Sequence, residues 1–294
     1  MVSSVSSLQL EDFLARLARL ARPGSAPAVL VEVAEAQGSV PREAGTWMAV
    51  FADALVGTIG GGHLEYDAIA RARALLADKQ QDGHDATTLR VALGPSLGQC
   101  CGGVVQLRFE CVSAEDAPAL ALRLGQAALT PVALFGGGHV GHALVRVLVP
   151  LPFSLTWIDS RDDIFPGSLP PRVEAEYSDP VQAAVPGLAP QSRVLIMSFS
   201  HAEDLDIVAA CLQRQREKAD LPYIGLIGSK TKWAAFRHRL EARGFTPAEL
   251  AHVTSPIGVP GIAGKEPEVI AVAVAAQLLQ TVDTTQEEAG KALR

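Results

Sequence analysis

Positive charge is scarce in this chain. Twenty-five lysines and arginines stand against 32 aspartates and glutamates, a formal net charge of −7. That balance argues against wholesale binding to nucleic acid or to an anionic membrane, both of which draw on a surplus of cations. Any anion must be held locally. Cysteine is sparse as well: the four are Cys100, Cys101, Cys111 and Cys211, and none makes a C-x-x-C. A structural zinc site has little support, and a disulfide-built miniprotein is excluded at this length. Adjacent cysteines seldom pair with each other because the geometry is strained, so reduced thiols are expected. Long apolar runs are missing too. The longest late one, residues 269–276, falls far short of the ~18 residues that span a bilayer. Near the start, Glu11 and Asp12 interrupt any signal-peptide core. A soluble, cytoplasmic protein is the expectation.

What is present is a globular composition. The 294 residues are 48% hydrophobic and include 26 glycines and 19 prolines, enough for two domains at roughly 150 residues each. Leu10, Phe13, Leu14, Leu17 and Leu20 recur at helical spacing over residues 8–21. Residues 28–34, 46–51, 87–93 and 104–111 read as strands, with a helix over 63–77. This order predicts an N-terminal α+β domain, residues 1–129, closing on a helix over 114–129. Thr130-Pro131 marks the boundary. In residues 130–294 the order turns regular: strands at 132–135, 153–158, 174–177, 193–199 and 223–227 alternate with helices at 139–149, 202–218 and 230–243, and a last helix starts at Glu266. Such alternation predicts a Rossmann-like doubly wound parallel sheet, and an α/β fold class for the chain.

The strongest local signal is Phe135-Gly136-Gly137-Gly138-His139-Val140-Gly141, a G-x-G-x-x-G between a predicted strand and a predicted helix. Glycines let the backbone approach a phosphate, and a helix N-terminus offers free N–H groups and partial positive charge. Asp159 ends the next strand, 23 residues after Gly136, where such a fingerprint has its acid for a ribose hydroxyl. His201 and Asp204 follow a later strand end as ligand candidates, while Ser200 and Glu203 there form an S-x-x-E capping pattern. The two readings are compatible. Further along, Gly228-Ser229-Lys230-Thr231-Lys232 sits in a stretch, residues 214–243, with eight basic residues against three acidic ones. Its cations suit a phosphate or a solvated helix face.

The N-terminal domain has glycine-rich turns of its own. Gly60-Gly61-Gly62-His63-Leu64-Glu65 runs into a helix start, and three consecutive glycines imply close backbone approach. His63 and Glu65 are either ligand contacts or a polar helix start. Arg42 offers a guanidinium in a turn. Gly98-Gln99-Cys100-Cys101-Gly102-Gly103 sets two thiols between glycines. Cysteine is usually a small buried hydrophobe, but a soft thiolate with glycine neighbours also suits a soft metal and a bulky cofactor.

With these motifs in this order, joined by Tyr223-Ile224-Gly225-Leu226-Ile227-Gly228-Ser229-Lys230 and Ser255-Pro256-Ile257-Gly258, the sequence resembles the XdhC/CoxI family from about Leu8 to Leu279. The resemblance implies a non-enzymatic chaperone that binds molybdenum cofactor, protects it during sulfuration and delivers it to xanthine dehydrogenase or a related molybdenum hydroxylase. It further implies a cysteine desulfurase as sulfur source and a homodimer. Carried over residue by residue, the family's Gln-Cys-Cys-Gly-Gly motif maps onto Gln99 to Gly103 and its Rossmann glycines onto Gly136, Gly138 and Gly141. Together with the residue readings above, the candidate cofactor contacts are Gly61, Gly62, His63, Glu65, Gln99, Cys100, Cys101, Gly102, Gly136, Gly138, His139, Gly141, Asp159, His201, Ser229 and Lys230, with Cys100 and Cys101 toward the metal. Many relatives carry a cysteine where His63 stands, so a thiol role is not expected there. Molybdopterin joins a soft metal on a dithiolene to a terminal phosphate, which suits a thiol loop in one domain and a phosphate turn in the other. Competing readings are an NAD(P)-dependent oxidoreductase, which leaves the paired thiols unexplained, and a nucleotide-sensing regulator.

Overall fold

The structure, a computed structural model, describes residues 7–21, 26–78, 86–93, 102–125 and 129–292. Two compact units divide the chain, Met1–Ala128 and Leu129–Arg294.

The first unit runs α1 (Ser7–Arg19), β1 (Ala28–Gln37), β2 (Trp47–Phe51), β3 (Leu55–Gly57), α2 (Gly62–Ala77), β4 (Thr87–Ala92), β5 (Val104–Val112) and α3 (Ala117–Leu124). Its strands form one antiparallel sheet in the order β3-β2-β1-β5-β4. Because side chains alternate along a strand, β1 and β2 each feed two cores. Ala28, Leu30, Trp47, Ala49 and Phe51 pack with Phe13 and Leu17 of α1 and Leu120 of α3. Val29, Val31, Val33, Met48 and Val50 pack with Leu64, Ala68 and Ala72 of α2. Helices on both faces explain why these central strands are apolar runs rather than alternating ones.

The helix expected over 114–129 is a short 3-10 turn, Ala114–Asp116, followed by α3. A Ser113–Asp116 capping box starts the turn, Pro118 opens the α-helix, and at Gly125 a Cβ would lie 2.4 Å from the Ala121 carbonyl. Strand β3 went unread because three residues carry no pattern.

The second unit contains β6 (Thr130–Phe135), α4 (His139–Leu148), β7 (Phe153–Asp159), β8 (Val173–Tyr177), β9 (Arg193–Ile196), α5 (His201–Lys218), β10 (Tyr223–Leu226), α6 (Lys230–Ala242), α7 (Pro247–Leu250), β11 (Val253–Thr254) and α8 (Pro267–Ala292). Its six strands are all parallel in the order β11-β10-β9-β6-β7-β8. In chain order that is 6-5-4-1-2-3, the dinucleotide-binding arrangement, with its switch point between β6 and β9. Helices α5, α6 and α7 bury one face of the sheet over Ala133, Phe135, Val194, Ile196, Ile224 and Leu226. On the other face His142 of α4 meets Trp157 edge-on, and α8 packs against α4. Thr130 and Pro131, expected to break the chain, are the first residues of β6; proline is tolerated at a strand start. The strand expected over 193–199 stops at Ile196: the Met197 N–H still bonds the Phe135 carbonyl, but the Ser198 N–H turns away to Asp204.

No helix among the described residues is long and apolar enough to cross a membrane.

Candidate functional site

The connection from β6 to α4 is Gly136-Gly137-Gly138, and the three glycines of the G-x-G-x-x-G, Gly136, Gly138 and Gly141, each have a different reason to be glycine. Gly136 has φ +122°, and a Cβ there would lie 2.0 Å from the Met197 carbonyl oxygen. At Gly141 a Cβ would lie 2.1 Å from the Gly136 oxygen, so the helix packs directly on the turn. Gly138, the helix N-cap, is exposed, and a Cβ there would meet nothing within 4 Å. Open space above the middle glycine, with the outer two locked by backbone, is the layout by which a phosphate reaches a helix N-terminus. No side chain caps α4, so its first N–H groups face that space with the exposed His139 beside them.

Asp159, at the end of β7, is 2% exposed. Its Oδ2 accepts from the Gly137 N–H (2.6 Å) and Arg161 Nη2 (2.9 Å), and its Oδ1 from the Arg161 N–H (2.9 Å) and Nε (2.8 Å). Burial alone would raise its pKa, but the hydrogen bonds from Arg161 and from the two backbone N–H groups outweigh it and hold the carboxyl below its ordinary value. A carboxylate has about four lone-pair positions. All are taken by the chain itself, so the ribose hydroxyl expected at Asp159 finds no acceptor left. The acid instead fixes the glycine turn and the plane of Arg161.

Arg161 and Phe199 were not singled out in the sequence. The Arg161 guanidinium lies over the Phe199 ring, 4.6 Å from its centroid, and Phe199 is 67% exposed. Glu203 brackets the pair: one carboxylate oxygen accepts from Ser160 Oγ at 2.7 Å and the other from the Phe199 N–H at 3.1 Å. Ser200 caps α5 through the Glu203 N–H, but Glu203 does not return the bond, so the capping box is half formed. The available signal was a large aromatic residue isolated in Ser198-Phe199-Ser200, past a strand end.

Asp204 is buried beneath these loops. It accepts from the Ser198 N–H and hydroxyl and pairs with Lys232 Nζ at 2.6 Å, while Lys232 also donates to the Ile227 carbonyl. The pair ties the ends of β9 and β10 together. His201, the first residue of α5, is exposed and edge-on to Phe236. Ser229 caps α6 through the Lys232 N–H, and Lys230 is exposed beside it. Within the basic stretch Arg214, Arg216, Lys232 and Arg243 each have an acidic partner.

In the first unit, the loops at one end of the sheet converge. Gly60, Gly61 and Gly62 all have positive φ. Oε2 of Glu65 accepts from the Thr58 hydroxyl and from the N–H groups of Ile59 (3.0 Å) and Gly61 (3.1 Å), so Glu65 holds the turn itself. A Cβ at Gly60 would meet Pro41 and Arg42, which places the β1–β2 loop against this turn. Gly103 is fitted under the Gln37 and Ser39 carbonyls, each 2.5 Å from a would-be Cβ, and its carbonyl accepts from the Leu93 N–H. His63 is exposed near Tyr66, and a Cβ at Gly102 would meet nothing within 4 Å among the described residues. The structure therefore brings Arg42, Gly60–His63 and Gly102 to one end of the sheet. Gln99, Cys100 and Cys101 lie outside the described residues, between Leu93 and Gly102, which flank them at that end. Of the other thiols, neither Cys111 nor Cys211 is in a disulfide, and burial pushes the Cys211 thiol up to about 12.

Residues 132–278 match the XdhC Rossmann domain, and residues 21–90 match the XdhC and CoxI family. The chain belongs to the XdhC and CoxI family. The XdhC Rossmann match starts inside β6 and ends inside α8, so it takes in the whole parallel sheet. This XdhC-family chain is 23% identical over 256 residues to the uncharacterized protein YqeB of Escherichia coli K12. That alignment covers 86% of the chain but 43% of YqeB, so the chain spans less than half of that relative's length. Its fold is similar to a crystal structure of a Bacillus halodurans protein described as a xanthine dehydrogenase, with a TM-score of 0.71 at 20% identity, over 94% of this chain and 96% of that one.

Proposed function

We propose that this XdhC-family protein is an accessory factor that binds molybdenum cofactor as cargo, shields it during sulfuration and delivers it to xanthine dehydrogenase or a related molybdenum hydroxylase. The observation that carries this reading is the β6–α4 turn, built to admit a phosphate at Gly138, beside an acid with no acceptor position left for a ribose. A phosphate-bearing ligand other than an ordinary nicotinamide dinucleotide suits that combination better than the oxidoreductase alternative does. Family membership and the description of the Bacillus halodurans protein support the enzyme class served. The phosphate end of the cargo falls to Gly136, Gly138, His139 and Gly141. Within the first unit taken by itself, Cys100 and Cys101 are the candidate metal-facing residues, because thiolates are soft ligands, and Gln99, Gly61, Gly62, His63 and Gly102 are its other candidate cofactor contacts. Like Gly138, Gly61 and Gly102 have nothing within 4 Å of a would-be Cβ among the described residues. Sulfur would come from a cysteine desulfurase, and the protein would work in the cytoplasm as a homodimer.

The test is transfer. Apo-hydroxylase mixed with loaded protein should gain activity even when a competitor traps free cofactor. Activation that tracks only the free cofactor concentration would contradict delivery and reduce the role to storage.

A further inference from the structure

The Arg161–Phe199 pair is a flat surface prepared in advance. Phe199 exposes 67% of its area, yet its loop is pinned by Glu203 on the Phe199 N–H and by Asp204 on Ser198. Arg161 is held as firmly, since Nε and Nη2 form a two-pronged contact with buried Asp159, and its Nη1 makes no hydrogen bond among the described residues. Cation–π contact covers one face of the ring and leaves the rest to solvent. A large apolar ring held rigid and open has little to contribute to folding. Arg161 against the ring connects to the phosphate turn through Asp159, which accepts from both the Arg161 guanidinium and the Gly137 N–H.

Resting on the phosphate-turn reading above, we infer that this shelf receives the flat nitrogen heterocycle of a ligand whose phosphate lies at Gly138. The heterocycle stacks on the open part of the Phe199 ring, and Arg161 Nη1 donates to a ring carbonyl or ring nitrogen. Aromatic stacking is tolerant of ring identity, whereas the segment between ring and phosphate goes unread because Asp159 is saturated. The ligand class is therefore a phosphate-bearing bicyclic heterocycle, a chemistry shared by pterin phosphates and purine nucleotides.

Calorimetry on the full chain separates the parts, with neopterin monophosphate, GMP, 2′-deoxy-GMP and ribose 5-phosphate as probes. Ring-bearing phosphates should bind at least about tenfold tighter than ribose 5-phosphate, and GMP and 2′-deoxy-GMP should bind alike. Phe199→Ala should erase the ring advantage and leave ribose 5-phosphate binding unchanged, while Phe199→Trp should keep it. Whichever of neopterin monophosphate and GMP binds tighter identifies the source of the ring. If Phe199→Ala keeps the full ring advantage while Gly138→Val weakens every probe, the shelf is wrong and the turn stands. If Gly138→Val weakens none, the phosphate turn itself is wrong and the shelf falls with it.

Discussion

Trp157 Nε1 donates to the carbonyl of Gly136 at 3.0 Å, from a ring that is fully buried behind the phosphate turn. One indole thereby fixes the first glycine of the turn, and Phe165 and His142 fix the indole edge-on. Trp157→Phe keeps most of the apolar area but removes the donor and leaves a buried carbonyl short of a partner. Stability should fall by at least about 1 kcal/mol in urea unfolding. The variant should also lose the fluorescence change that ligand binding at the turn produces, with Trp47 and Trp233 as the remaining emitters.

The glycines of the turn should separate cleanly into structural and functional positions. Gly136→Ala and Gly141→Ala put a Cβ into backbone 2.0 and 2.1 Å away, and each should lose several kcal/mol of stability or fail to fold. At Gly138 a Cβ would meet nothing within 4 Å among the described residues, so Gly138→Val should fold normally, with ligand affinity lowered at least tenfold, about 1.4 kcal/mol. Melting temperature and calorimetric affinity on the same samples distinguish the two behaviours. Unchanged affinity in folded Gly138→Val would mean that the turn only packs.

Asp159 predicts a definite dependence on pH. Its folded pKa lies below the ordinary value because Arg161 and two backbone N–H groups favour the carboxylate over the cost of burial. The unfolded chain therefore holds that proton more tightly. The stabilisation is complete above the unfolded pKa, about 3.9, and is lost as pH falls through the lower folded value. Asp159→Asn should flatten this acid limb and cost about 2 kcal/mol at neutral pH, measured by unfolding at a series of pH values.

How much of this was legible in the sequence depended on whether a feature is local. The G-x-G-x-x-G between strand and helix, the apolar runs of β1 and β2 and the amphipathic α1 carry their geometry in adjacent residues. Asp159 was located but its use was not, because its partners Gly137 and Arg161 matter only once β6 and β7 lie side by side. Glu65 was read as either ligand or helix start and turned out to hold its own turn, an arrangement set by the φ angles of three glycines. Phe199 escaped for the opposite reason: exposure of an apolar residue is a property of the folded surface.

The thiol pair offers a test independent of the turn. Cys211 is fully buried with its thiol pushed up to about 12, so Cys211→Ala should lose stability and leave molybdenum content alone. Cys100→Ala or Cys101→Ala should do the reverse, with melting nearly unchanged and bound molybdenum reduced. Cys101, directly before Gly102-Gly103, should have the larger effect. Full molybdenum occupancy in both single variants would return the binding to the phosphate end.

Whether the protein holds a molybdenum-bearing pterin phosphate can be read by mass spectrometry of the small molecule released on denaturing protein purified from molybdate-fed cells. A pterin phosphate accompanied by molybdenum should be released, and should be absent from Gly138→Val purified in parallel. Release of a nicotinamide dinucleotide in its place, at equal amounts from both proteins, would contradict it.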